Sequence, residues 1–227
     1  MRLTASDPYR LYKPSNCELR LYLHHQGVEG SEPGPFDEVI RRLGERHENS
    51  HLATFDDVLD LSAGTTEERR AATLEAIHRR APVIYQALFS TTARLSERDY
   101  EIVGSPDFLI ESDGAYVVRD AKLARRIDQT HPEILWQLRL YGWLYRRAVG
   151  QPVAQLEVYN GAGEIVVIEP VADDDVEHEL ARYVRVMEAA EPPFAPVGWS
   201  KCGSCGYYER CWPIAGALHG RCHIKAD

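Results

Sequence analysis

Apolar and polar positions alternate along this chain with two different periods, and the two are interleaved from one end to the other. Pro14-Ser15 opens a short predicted helix that ends at Gly27, and residues 28–35 are Gly/Pro-rich and read as a loop. From Phe36 to about Leu52, apolar residues at Val39, Ile40 and Leu43 recur at helical spacing. Thr66 opens a further helix to about Arg80, with a polar cap and acids in its first turn. Residues 83–89 read as one buried strand. Pro132 suits the first turn of a helix running to about Val149. Residues 153–159 and Ile165–Ile168, joined around Gly161-Ala-Gly163, form a predicted hairpin, and an amphipathic helix runs from Asp173 to about Ala190. Strands mixed among helices predict one α/β domain over residues 1–227, without internal repeats.

The most specific pattern lies between Gly104 and Lys122. Two apolar runs, residues 108–110 and 115–118, flank Asp113-Gly114, a dipeptide suited to a two-residue primed turn. With that turn, Ser112 faces Ala115, and counting outward places Asp107 opposite Asp120. Opposed side chains on an antiparallel pair have Cβ atoms roughly 5 Å apart. Two carboxylates that close repel unless something cationic lies between them. Lys122 follows Asp120 by two residues and so points to the same face. A solvated ladder of charges is the bland alternative, but Asp120 lies two residues past the end of the apolar Tyr116-Val-Val run, on the same strand, and a buried position suits a metal better. In the helix opened by Pro132, Gln137 and Tyr141 lie four apart on one face, beside an apolar stripe of Trp136, Leu140, Trp143 and Leu144.

Composition changes this picture little. The 227 residues suffice for one sizeable core, and 44% hydrophobic with 27% charged residues is ordinary for a globular protein. No apolar run approaches the ~18 residues needed to span a membrane, and the N-terminus has no apolar signal core, so a cytoplasmic protein is expected. A net charge of −9 argues against a generally basic nucleic-acid binder. Locally the balance reverses: Arg119, Lys122, Arg125, Arg126, Arg139, Arg146 and Arg147 face only Asp120, Asp128 and Glu133. Arg125, Arg126, Arg139 and Arg147 are the candidate phosphate contacts.

Of five cysteines, Cys202, Cys205 and Cys211 form a C-x₂-C-x₅-C cluster, while Cys17 and Cys222 stand apart. Without a secretory signal, disulfides are disfavoured. Three thiolates lack one ligand for the four-cysteine sites that zinc or an iron–sulfur cluster prefers. Cys17 at a helix start can supply it; so can Cys222, His219 or His223, and spacing does not choose among them.

Gly44-x-x-His47, Gly104-x-x-Asp107, Asp120-x-Lys122 and Gln137-x-x-x-Tyr141, in this order, resemble the RecB-type branch of the PD-(D/E)xK nucleases. The cysteine tail with a distant N-terminal cysteine resembles the subset holding a [4Fe–4S] cluster, including the AddB nuclease domain and the CRISPR-associated RecB-like exonucleases. The phrases Tyr85-Gln86-Ala87 and Asp120-Ala-Lys-Leu-Ala124 are also similar to bacterial RecB-like nucleases. The resemblance implies a restriction-endonuclease-like core, a mixed central sheet flanked by helices, with the chain ends joined at a four-cysteine cluster. Segments 14–27 and 199–213, through Cys17, Cys202, Cys205 and Cys211, would bind the cluster, and Cys222 has no place in the pattern. Asp107, Asp120, the Ala121 carbonyl and His47 would bind Mg²⁺ or Mn²⁺, with Glu48 competing for the place of His47. Lys122 would orient or help deprotonate water and stabilise phosphate charge. Gln137 and Tyr141 would position the strand or the lysine. The implied activity is exonuclease action on single-stranded DNA ends, in CRISPR adaptation or DNA repair, with adaptation proteins or a helicase as partners. The alternatives are an inert nucleic-acid-binding scaffold with zinc at the cysteines, or a redox enzyme.

Overall fold

Strands of this protein sort into two mixed sheets with the long helix of residues 132–149 packed against both. A computed structural model describes residues 2–194 and 199–211. In chain order the elements are β1 (Arg2–Thr4), α1 (Asp7–Tyr12), α2 (Glu18–His25), α3 (Pro35–Leu52), β2 (Val58–Asp60), α4 (Thr66–His78), β3 (Val83–Tyr85), β4 (Phe89–Leu95) and β5 (Arg98–Gly104). There follow β6 (Phe108–Ser112), β7 (Ala115–Ala121), α5 (Pro132–Val149), β8 (Gln155–Tyr159), β9 (Ile165–Ile168), α6 (Asp173–Met187), α7 (Trp199–Cys202) and α8 (Tyr208–Cys211). Among the described residues, a six-stranded sheet runs β2-β3-β6-β7-β8-β9 and a three-stranded sheet runs β1-β5-β4. In the larger sheet β7 and β8 are parallel and β6 and β7 antiparallel, so the sheet is mixed, as expected.

Helix boundaries follow local chemistry. The Thr65 hydroxyl accepts the Glu68 N–H while the Glu68 carboxylate accepts the Thr65 N–H, a reciprocal cap that starts α4 at Thr66. Pro132 sits in the first turn of α5, where its missing N–H costs nothing. Leu138, Leu140, Trp143, Leu144 and Tyr145 on this helix are buried, and they fill the space between the two sheets. The burial of these five large side chains contributes on the order of 10 kcal/mol before chain entropy is counted.

Three expectations are corrected. The single strand over residues 83–89 is divided: Gln86 takes a left-handed φ of 54° and the chain leaves the large sheet for the small one. The β4–β5 hairpin was not legible, because its turn is Ser96-Glu97, both at positive φ (48° and 71°) without the usual Gly or Asn. The helix expected to open at Pro14 is α2, which begins at Glu18 with Cys17 as its N-cap, and a short strand and a short helix precede it. The apolar residues that mark α3 as helical also differ in role. Phe36, Val39, Ile40 and Leu43 are exposed, and α3 is anchored by the rings at its C-terminal end. No helix among the described residues is long and apolar enough to cross a membrane.

Candidate active site

The β6–β7 turn obeys its sequence. Asp113 (φ 50°) and Gly114 (φ 90°) both take left-handed backbone, and Ser112 pairs with Ala115, as a two-residue primed turn requires. At the far end Phe108 pairs with Arg119, so the next residues outward are Asp107 and Asp120. Each is bonded to the other's strand. The Asp107 N–H donates to Asp120 Oδ1 at 3.0 Å, and the Ala121 N–H donates to Asp107 Oδ2 at 2.9 Å. Lys122 Nζ lies 2.7 Å from Asp120 Oδ2. Asp120 is 1% exposed, which leaves the ammonium as its charge partner rather than water.

Electrostatics make this pair unequal to an ordinary surface ladder. Burial, then the charge of Asp120, pushes the Asp107 carboxyl well above the usual carboxylate range, and Glu48 adds to the push. Burial disfavours the Lys122 ammonium, but Asp120, Tyr9 and Asp107 outweigh it and raise the lysine. Lys122 is therefore held as an ammonium, suited to stabilise negative charge rather than to accept a proton.

Helix α5 delivers Gln137 and Tyr141, both buried, with Gln137 Nε2 donating to the Tyr141 hydroxyl at 3.1 Å. Burial, followed by the charges of Asp120 and Asp107, raises Tyr141 well above its ordinary value and keeps it a neutral hydroxyl beside the acids. Gly104 makes this approach possible. A Cβ there would meet Leu144 Cδ1 at 2.7 Å and the Tyr141 ring at 2.9 Å, so only glycine lets the end of β5 lie against this face of α5.

Helix α3 brings its two candidate residues, His47 and Glu48, into different surroundings. His47 stacks on Tyr159 (centroids 4.6 Å, interplanar angle 8°), with Nε2 3.2 Å from the Tyr159 carbonyl, which also accepts the Lys122 N–H. His51, one turn on, stacks on the other part of this assembly, 4.0 Å from the Tyr159 ring. The neighbouring Glu48 is the α3 side chain joined to the acid pair: Gln86 Nε2 donates to Glu48 Oε1 at 2.9 Å and to Asp107 Oδ1 at 3.2 Å. Tyr9 on α1 also reaches the site, with Lys122 Nζ 5.4 Å from its ring centroid. Its residue type and spacing carry no signal, because Tyr9 and Lys122 are more than a hundred residues apart and meet only in the folded chain. Gln86 was visible only as part of the Tyr85-Gln86-Ala87 phrase.

His51 gives α3 a pH-dependent anchor. It is buried and 3.1 Å from Arg119 Nη1, whose guanidinium pairs with Glu157. Burial first, then Arg119 and His47, lowers His51 to about 4. A histidine depressed in the fold contributes stability that is present above its unfolded value of 6.5 and is lost as pH falls through about 4. The full span corresponds to roughly 3 kcal/mol. The protection factors of α3 amides, exchange rates corrected for the intrinsic pH dependence, should therefore fall between pH 6.5 and about 4, and His51→Gln should remove that part of the slope. Parallel acid responses of wild type and variant would contradict this role.

The expected basic face is dispersed. Arg119 is consumed by Glu157, Arg147 pairs with Glu177, and Arg146 with Asp173. Arg139 lies over Trp136, on the side of α5 turned away from Tyr141. Arg125 and Arg126, just beyond Lys122, are exposed.

Among the described residues, no three His, Cys, Asp or Glu side chains are gathered into one coordination set. The donor set nonetheless fits a hard divalent cation. It consists of carboxylate oxygens, and a cation between them would offset the repulsion that raises Asp107. At the N-terminal end of α2, Cys17, Cys202, Cys205 and Cys211 line one small pocket with Leu19, Arg20 and Tyr207. They pack around a second, small core of Leu19, Leu23 and Tyr207. Cys222, His219 and His223 lie outside the described residues.

No match is found among curated proteins. Among solved structures, one described as the crystal structure of SSO0001 is similar at 14% identity and a TM-score of 0.40, covering 77% of this chain and 96% of that one. The model of the PD-(D/E)XK nuclease superfamily matches residues 19–212, most of the chain including the hairpin, and to that superfamily this chain belongs.

Proposed function

We propose that this chain is a metal-dependent deoxyribonuclease of the RecB-like iron–sulfur type, an exonuclease acting on single-stranded DNA ends as one domain of residues 1–227. The observation that carries this reading is the convergence of Asp107, Asp120 and Lys122 at one end of the β6–β7 hairpin. Asp107 and Asp120 hold Mg²⁺ or Mn²⁺ in this reading, with the Ala121 carbonyl and His47 or Glu48 as further ligands. A divalent cation bound there lowers the pKa of coordinated water and polarises the phosphate. Lys122, fixed by Asp120, stabilises charge building on the phosphate oxygens. The neutral Gln137–Tyr141 pair positions the strand, and Arg125 and Arg126 draw its phosphates toward the acids. Such an enzyme serves CRISPR adaptation or DNA repair, beside adaptation proteins or a helicase. Digestion of end-labelled single-stranded DNA with Mn²⁺, absent in Asp120→Ala, is the expected outcome. Undiminished cleavage by Asp107→Ala, Asp120→Ala and Lys122→Ala would defeat it.

The four cysteines of the α2 pocket hold a [4Fe–4S] cluster in the same reading, supported by their shared pocket and by the preference of soft thiolates for iron–sulfur clusters. Anaerobically purified protein should absorb broadly near roughly 400 nm, as expected for thiolate-bound clusters. Cys202→Ser should bleach that band and expose residues 199–211 to proteolysis, because the small core there has, among the described residues, three buried members, Leu19, Leu23 and Tyr207. A colourless protein carrying zinc after iron-replete expression would replace the cluster with a zinc site.

A further inference from the structure

Gln86 lies outside the acid–acid–lysine set, yet its amide is the link between that set and α3. Gln86 Nε2 donates to Asp107 Oδ1 at 3.2 Å and to Glu48 Oε1 at 2.9 Å, so one nitrogen spends both of its protons on two carboxylates of different elements. The Tyr85 hydroxyl donates to the same Glu48 oxygen at 2.7 Å. Glu48 stands on a helix whose apolar face is exposed, so its position is owed to these donors and to the ring stack below it.

The backbone at Gln86 is built for the purpose. A φ of 54° is unfavourable for a residue with a Cβ, and it persists because both of its backbone polar groups are held. The Gln86 N–H donates to the Asp107 carbonyl at 2.8 Å, and the Gln86 carbonyl accepts from Arg69 Nη2 at 2.8 Å. Arg69 is itself fixed by the Leu61 carbonyl at 2.7 Å and Ser105 Oγ at 2.8 Å. Without the left-handed turn the chain would continue as a strand, and the amide would not point between the two acids.

We propose that Gln86 is a positioning residue that keeps the Glu48 carboxylate on the Asp107 side of the site; the three carboxylates are not gathered into one coordination set in this structure, and a cation bound by Asp107 and Asp120 would draw in Glu48 as a third acid from α3. The proposal rests on the nuclease reading above for the presence of that cation. The Asp107 oxygens accept one N–H each, from Gln86 and Ala121, which leaves lone pairs on both for a metal.

The test is calorimetric titration of folded protein with Mn²⁺ alone, without nucleic acid. Gln86→Leu should weaken Mn²⁺ binding about 10-fold or more, the range seen when partners of metal ligands are removed. Glu48→Gln should weaken it comparably, and the double variant should bind no more weakly than the weaker single one, because the two act as a unit. At saturating Mn²⁺ the turnover of Gln86→Leu should approach wild type while the Mn²⁺ needed for half-maximal rate rises. Gln86→Gly accommodates the positive φ without strain and gives the same comparison where the leucine variant folds poorly. Unchanged or tighter Mn²⁺ binding in both Gln86 variants, or additive losses in the double variant, would overturn the proposal. Wild-type protein that neither binds Mn²⁺ nor cleaves DNA would instead remove the nuclease reading on which it rests.

Discussion

Asp107→Asn is expected to lower the nuclease rate by at least about 10³-fold while making the metal-free protein less sensitive to rising pH. On the proposed nuclease reading, the loss of rate follows from removing a charged ligand of the cation, since a bound cation supplies several kcal/mol of transition-state stabilisation. The stability effect follows from linkage. Burial and the neighbouring Asp120 raise the folded-state carboxyl above its ordinary value of 3.8. A raised acid contributes stability that is fully present below the unfolded value and lost as pH climbs through the folded one. Metal-free wild type should therefore melt at progressively lower temperature as pH rises above 3.8 through that raised value. The asparagine variant lacks this decline and should melt a few degrees higher at pH 8, since 1 kcal/mol is worth about 2–4 °C at this size. Saturating Mn²⁺ should flatten the wild-type curve and leave the variant unchanged. Scanning calorimetry across pH, with and without Mn²⁺, measures both; identical wild-type and variant slopes would mean that burial and Asp120 do not raise the Asp107 carboxyl.

Removing the lysine should damage both rate and stability, and metal should separate the two. In Lys122→Met the methylene stem is kept and the ammonium 2.7 Å from Asp120 is lost. Breaking a buried ion pair from one side costs about 3–5 kcal/mol, because the remaining charge is stranded. Here Asp107 can take up a proton, so the lower end of that range applies, a fall of about 6–12 °C in Tm. Mn²⁺ binding to the acids should recover much of this stability, since it supplies the missing positive charge. It should not recover the rate, which is expected to stay about 10²–10³-fold down for want of one group stabilising the phosphate. A variant that regains full activity with Mn²⁺ would reduce Lys122 to a structural counter-ion.

Much of the candidate site could be read by counting residues. The Asp113-Gly114 turn, the alternation on either side of it, and the helical spacing of Gln137 and Tyr141 are local, and each depends on backbone geometry over a few residues. The same holds for α5, whose bounds were legible at Pro132 and Val149. The β4–β5 hairpin was not legible because Ser96-Glu97 adopts a primed-turn backbone that its residue types do not favour; tertiary packing of β4 and β5 onto α5 supplies the preference. The division of residues 83–89 was hidden for a related reason. A run of apolar residues does not report a reversal of φ at Gln86 that is sustained by Arg69 and Asp107 from elsewhere in the chain.

By itself, the sequence determined that two aspartates would face each other with a lysine beside them, because turn chemistry and a two-residue period act over short distances. Tertiary structure alone decided which side chains surround them. Glu48 rather than His47 is tied to Asp107, Tyr9 lies by the lysine, the arginines of α5 turn elsewhere, and Cys17 meets a pocket almost two hundred residues away in the chain. Those placements depend on how separate helices dock on the sheets, a sum of many weak contacts between distant residues that no local spacing encodes.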